Sequence, residues 1–203
     1  MLIVRPPSLL TRALNRMTWN FPDSDHTVYL TFDDGPTPTV TPWVLDRLEE
    51  HGAKATFFCL GRNVDAHPKL YRDILERGHA TGNHTYSHMK GFRASIQRYM
   101  DDVELARGLI DSRLFRPPYG RILPAQVRAV RQKYRIIMWD VLSIDYNRKL
   151  HGDRVVKNVT QHTKPGSIIV FHDSDKARKN LYHALPRVLD FLNEQGYHMK
   201  AIS

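Results

Sequence analysis

The feature that most constrains this chain is a rhythm. Short runs rich in β-branched and aromatic residues recur along it, alternating with helix-length stretches that are apolar on one face. The runs are Thr27–Phe32, ATFFCL from Ala55, HATGN from His79, Leu114–Phe115, RIIMWD from Arg135, SIIVFH from Ser167 and YHMKAI from Tyr197. Between them Val44, Leu45 and Leu48 stripe one helix, Leu70, Ile74 and Leu75 a second, and Leu185, Val188, Leu189 and Leu192 a third. These three end at Gly52, Gly78 and Gly196, where glycine takes the left-handed turn that closes a helix. Further helices are expected over about 95–110, 124–133 and 153–161. Alternation of this kind gives a parallel sheet covered by helices. About seven strands can close into a barrel or stay open as a doubly wound sheet, and periodicity does not choose.

The first run stops on Asp33-Asp34-Gly35-Pro36. Two carboxylates at the end of an apolar strand are costly to bury unless a cation meets them. Asp-Gly is also a hairpin signal, but Thr41-Pro42 downstream reads as a helix N-cap with proline in the first turn. The acids then lie at the carboxyl end of a strand, where parallel α/β folds keep their sites. Other polar clusters fall at the same kind of place: His84 to His88, Arg116 to Gly120, Asp140, Asp145-Tyr146 and His172-Asp173. Asp140 reads equally well as a structural hydrogen-bond acceptor. Histidines four apart on a helical turn can share one ion. Two of them with one carboxylate make a three-ligand site that leaves positions open, and the second carboxylate is free to act as a base.

TFDDGP, HTYSH, RPPYG, DVLSIDY and IIVFHD, in this order, resemble the five motifs of the polysaccharide deacetylases, the NodB-homology family of carbohydrate esterases. The resemblance runs from about Thr27 to the C-terminus. It implies a distorted (β/α) barrel of about seven parallel strands. It also implies metal-dependent removal of acetyl groups from sugars, most often N-acetylglucosamine units of peptidoglycan- or chitin-like substrates or their precursors. Residue by residue, Asp33 matches the catalytic base, and Asp34, His84 and His88 the ligands of one divalent ion, zinc first, with cobalt or nickel as alternatives. Arg116 matches the arginine that holds the base. Tyr119 matches the residue whose backbone N–H serves the oxyanion. His172 matches the general acid and Asp145 the carboxylate that orients it. Tyr146 and Val170 fall where the family has walls for the acetyl methyl. Tyr146 is a departure, since the family often has tryptophan there.

The chain has 203 residues, 41% hydrophobic, which suits one domain: a lead-in over 1–26 and a catalytic domain over 27–203. The net charge of +9 admits anionic partners, but the arginines are scattered, and no nucleic-acid-binding motif appears. A solvated basic surface and no nucleic-acid partner are expected, and no oligomeric state is indicated. Cys59 is the sole cysteine, so no disulfide forms and a buried, inert thiol is expected. No window is apolar enough to span a membrane. Met1-Leu2-Ile3-Val4 is followed at once by Arg5-Pro6-Pro7, with no h-region, so a cytoplasmic location is expected. Leu9, Leu10, Ala13, Leu14 and Met17 form an apolar stripe that either covers the base of the barrel or, with Arg5, Arg12 and Arg16, touches a membrane surface. A glycan-binding module without turnover competes with the enzyme, and the presence of both Asp33 and His172 favours the enzyme.

Overall fold

The structure is a computed structural model that describes residues 4–22 and 25–203. Met1, Leu2, Ile3 and the side chain of Leu10 lie outside the described residues. The strands are β1 (Thr27–Asp33), β2 (Ala55–Cys59), β3 (Ala80–Asn83), β4 (Leu114–Phe115), β5 (Arg135–Ile136), β6 (Val141–Leu142), β7 (Ile168–His172) and β8 (His198–Met199). Seven of them form one parallel path in the order β5-β4-β3-β2-β1-β7-β6, and β8 pairs with the start of β1. The path curls into the distorted (β/α) barrel that the resemblance implied.

β1 shows why the layers form. Val28, Leu30 and Phe32 are fully buried against the helix layer. That layer includes Val44, Leu45 and Leu48 of α2 (Thr41–Glu50), and Leu185, Val188, Leu189 and Leu192 of α8 (Arg178–Glu194). The alternate residues face the barrel interior, where Thr31 and Asp33 meet a buried guanidinium. The expected stripes of these two helices are therefore correct, and Gly52, Gly78 and Gly196 all take positive φ. Cys59 is buried, and burial raises its thiol pKa, which leaves it unreactive.

Several local expectations need correction. In α4 (Pro68–Glu76), Tyr71 and Ile74 face inward, while Leu75 is 43% exposed. A helix at Gly61–Ala66, α3, precedes it. Thr41 is not an N-cap but the first helical residue; its hydroxyl accepts from Thr37 N and donates to Asp173. RIIMWD is strand only at Arg135–Ile136. Beyond that, Thr18 of the lead-in donates to Ile136 O and accepts from Met138 N, bridging Ile137, while Ile137 and Met138 offer their carbonyls to Arg116. Val141–Leu142, inside the DVLSIDY motif, then makes a further strand beside β7.

The lead-in also differs. Helix α1 spans only Ser8–Ala13. Leu9 is 77% exposed and Leu14 36%, so the stripe does not lie on the barrel. Among the described residues of that stripe only Met17 is buried, and Thr18 and Asn20 make bridges to Ile137 and Ser167. Among the described residues, no helix is long and apolar enough to cross a membrane.

Candidate active site

Register brings the motifs together. Asp33 and His172 are cross-strand partners at the carboxyl ends of β1 and β7. Asn83 pairs with Phe115, so the next residues, His84 and Arg116, leave the sheet side by side. The ends open into one cleft of about 590 Å³, lined by Asp33, Asp34, His84, His88, Tyr119, Tyr146, Val170 and His172 among others.

Beneath this cleft sits Arg116, with no exposure at all. Its NH1 donates to Asp33 Oδ1 and to Thr31 Oγ1, each at 2.7 Å. Nε donates to Ile137 O at 3.2 Å and NH2 to Met138 O at 3.0 Å, and the guanidinium stacks over Phe58 at 4.1 Å. Burial pulls this guanidinium's pKa down, and the Asp33 carboxylate opposes that pull. A buried ion pair persists only when its remaining donors are satisfied, which the carbonyls and Thr31 accomplish. One oxygen of Asp33 is thereby held and its carboxylate fixed at the cleft floor.

Asp34, His84 and His88 each bring one ligating atom within 4.8 Å of the others. His84 is 2% exposed, and its Nδ1–H donates to Arg116 O at 2.7 Å, which turns Nε2 toward Asp34. Burial pulls this imidazole down to about 4, so it is neutral. His88 Nδ1 bonds the Tyr119 hydroxyl at 3.1 Å. The two Nε2 atoms stand 3.7 Å and 3.2 Å from Asp34 Oδ1, yet that buried oxygen accepts no hydrogen bond. Burial alone would raise the Asp34 pKa. The close His88 imidazole and the fields of His172 and His84 outweigh it and hold the carboxyl below its usual range. An orphaned carboxylate oxygen facing two imidazole nitrogens is a donor set that a zinc-like divalent ion fits. The two histidines do not share a helical turn, as their spacing suggested. Residues 84–90 are irregular, with φ of 65° at Thr85 and 63° at His88. Asp34 and Tyr119 are also left-handed, at 81° and 61°. Strain of this kind in non-glycine residues gathers at functional sites.

Across the cleft, Asp145 grips His172 twice. Its Oδ1 accepts from the ring Nδ1 and its Oδ2 from the backbone N–H, both at 2.8 Å. Burial opposes the imidazolium, but the Asp145 charge and hydrogen bond, with Asp34 and Asp33 beyond, push His172 up to about 9. Tyr146 stands edge-on to the His172 ring at 5.0 Å.

A family model described as polysaccharide deacetylase matches residues 21–137, more than half of the chain. The chain belongs to the polysaccharide deacetylase family. A peptidoglycan-N-acetylglucosamine deacetylase of Bacillus cereus is 32% identical over 194 residues, covering 92% of this chain and 91% of the relative. A chitooligosaccharide deacetylase of a Bradyrhizobium species is 39% identical over 155 residues, 72% of this chain and 70% of that one. Among solved structures, a peptidoglycan N-acetylglucosamine deacetylase bound to an N-oxidanyl-benzamide superposes with a TM-score of 0.87. It is 30% identical and covers 97% of this chain and 95% of its own.

For this member of the family, the structure adds residues that the motifs did not single out. Trp139 and Leu142 line the cleft. The Tyr119 side chain supports His88, where only its backbone was expected to act. Asp173 accepts from Gly35 N at 3.0 Å and Thr41 Oγ1 at 2.6 Å, and so clamps the turn that carries Asp34. Burial pushes its carboxyl up to about 8. A Cβ on Gly35 would fall 1.9 Å from Asp173 Oδ2, so this turn needs glycine. Its position directly after His172 was the available signal. Asp140 lies at the start of β7, bonded to Ser167, Ile168 N and Arg5, away from the cleft, as its structural reading held.

Proposed function

We propose that the protein is a metal-dependent deacetylase that hydrolyses the N-acetyl amide of N-acetylglucosamine-type units in a glycan. Residues 27–203 would form the catalytic unit and 1–26 its lead-in. The observation that carries the reading is the division of labour between neighbours in sequence. Asp33 is locked by Arg116, while Asp34 keeps an unbonded oxygen facing His84 and His88. Names of the relatives support the acetylated-sugar substrate class.

Asp34, His84 and His88 would hold one divalent ion, with zinc the first choice for this N,N,O set and cobalt or nickel next. When bound, such an ion polarises the acetyl oxygen and acidifies water. Asp33 takes the proton from the attacking water, its unpaired oxygen directed to the cleft by the Arg116 bond. The backbone N–H of Tyr119 adds a donor for the oxyanion. His172, cationic at neutral pH and oriented by Asp145, gives its proton to the departing sugar amine. Val170 and Tyr146 wall the acetyl methyl, and Trp139 and Leu142 extend that wall. Acetate release from a panel of N- and O-acetylated oligosaccharides, with and without added Zn²⁺ or Co²⁺, tests this. No metal-stimulated release from any of them would overturn it.

Exposed Leu9 and Leu14, beside exposed Arg12 and Arg16, support peripheral contact of the lead-in with an anionic membrane surface. Vesicle flotation with and without anionic lipid, together with fractionation of the native protein, tests that contact and its cellular location.

A further inference from the structure

The mouth of the cleft carries charge that the proposed chemistry does not use. Lys90, Arg93, Arg121 and Lys176 line it, and among the described residues none of the four meets a carboxylate. Many cations on this basic chain lack a carboxylate partner among the described residues, and what sets these four apart is that they gather around one cleft; elsewhere, paired cations occur too. Arg77 pairs with Asp46, Glu49 and Asp73, and Glu104 pairs with both Arg107 and Lys133. The two carboxylates that do line the cleft are both committed: Asp33 to Arg116, and Asp34 to the proposed metal centre.

Two of the lysines are also seated. Lys90 Nζ lies 5.0 Å over the Tyr119 ring, and that ring packs on His88 at 4.5 Å. Lys176 Nζ lies 5.3 Å over the Tyr146 ring, which meets His172 at 5.0 Å. A lysine over a tyrosine that contacts a site histidine therefore flanks the centre on its metal-ligand side and on its acid side. A ring beneath an ammonium favours the seated rotamer. Like charges left unpaired around one cleft repel each other, and a bound divalent ion would add to that field. A neutral glycan relieves none of this; an anionic one does.

We propose that Lys90 and Lys176 are anion-recognition positions, and that the acetylated glycan taken by this cleft carries negative groups next to the reacting sugar. This rests on the deacetylase reading above and narrows its substrate. The shared chemistry is an anion attached to an N-acetylated sugar, either a carboxylate on the neighbouring unit or a phosphate in a diphosphate link.

The test compares three ligands on the zinc-loaded full chain. They are a neutral N-acetylglucosamine oligomer, an oligomer of equal length with carboxylates on alternate sugars, and a nucleotide diphosphate-linked N-acetyl sugar. Calorimetry reads binding, and acetate release reads kcat and KM. One or both anionic ligands should bind about 10-fold tighter than the neutral one, from roughly 3-fold per lysine, with the difference in KM. The preference should shrink at about 0.5 M salt. In the Lys90→Gln, Lys176→Gln double variant the ratio should fall toward one, and paired Lys→Glu changes should invert it. Which anionic ligand is preferred identifies the source of the charge. Equal binding of all three by the wild type, or a ratio unchanged in the double variant, overturns the proposal. Absence of acetate release from every ligand would sink the deacetylase reading instead, while the binding ratios would still decide this one.

Discussion

Among the described residues, two clusters of one aspartate and two histidines occur, and they are not alike. Asp34, His84 and His88 form one; His151, Asp153 and His183 form the other, between the start of α7 (Gly152–Thr160) and α8. In both, the ligating atoms fall within 4.8 Å of one another. In the second, the side chains are 77%, 63% and 31% exposed, His183 Nε2 is hydrogen-bonded to the carboxylate at 2.6 Å, and His151 Nδ1 accepts the Asp153 backbone N–H. In the first, His84 is 2% exposed, each Nδ1 is occupied by a group outside the triad, and Asp34 Oδ1 is left bare. Composition and proximity are shared. What differs is whether outside partners leave lone pairs free, buried and aimed at one point.

The largest effect should come from deleting a ligand in each cluster. His84→Ala should lose the single tightly held zinc, and His183→Ala should keep it, as read by elemental analysis after dialysis. Loss in the second variant, or retention in the first, breaks the contrast. Next comes Asp33→Asn. Zinc should stay while acetate release falls by about 10²–10⁴-fold, the range for removing a general base; near-normal turnover at neutral pH would remove Asp33 from that role.

Tyr119→Phe sharpens the comparison, because it deletes only the outside partner of His88. Zinc affinity should drop by about 10-fold, the low end for a lost supporting bond. An unchanged affinity in competition with a chelator dye would show that burial, not support, separates the clusters. The smallest effect is a shift along the pH axis. His172 sits at about 9 against an ordinary 6.5. Its proton is therefore available at neutral pH and lost as pH rises through about 9. Asp145→Asn should move the alkaline limb of the kcat/KM profile to lower pH. By the same sign, stability from the His172–Asp145 pair is complete below about 6.5 and is lost through about 9. Urea midpoints of wild type and His172→Gln should thus converge in alkali; a gap that persists there would mean that neutral packing, not charge, stabilises the pair.

The fold was largely legible in the sequence, because its signals are local. Strand and helix periods, the glycines at Gly52, Gly78 and Gly196, and the Asp-Gly-Pro turn each depend on a few adjacent residues. Errors arose where distant partners override local preference. The Ile137 and Met138 carbonyls turn to Arg116 and the Met138 N–H to Thr18, Thr41 turns to Asp173, and the histidine pair lies on an irregular loop with positive φ at Thr85 and His88 in place of a helical turn.

By itself, then, the sequence determined the strand–helix alternation, the residue types offered at most strand ends, and the family to which the chain belongs. Tertiary structure alone decided which of two Asp–His–His sets is pre-organised, that Arg116 lies buried in the barrel under Asp33, and that unpaired lysines ring the cleft. The physical reason is register. Asp33 opposite His172, and Asn83 opposite Phe115, are pairings between strands far apart in the chain. Burial and outside hydrogen bonds exist only after those pairings form.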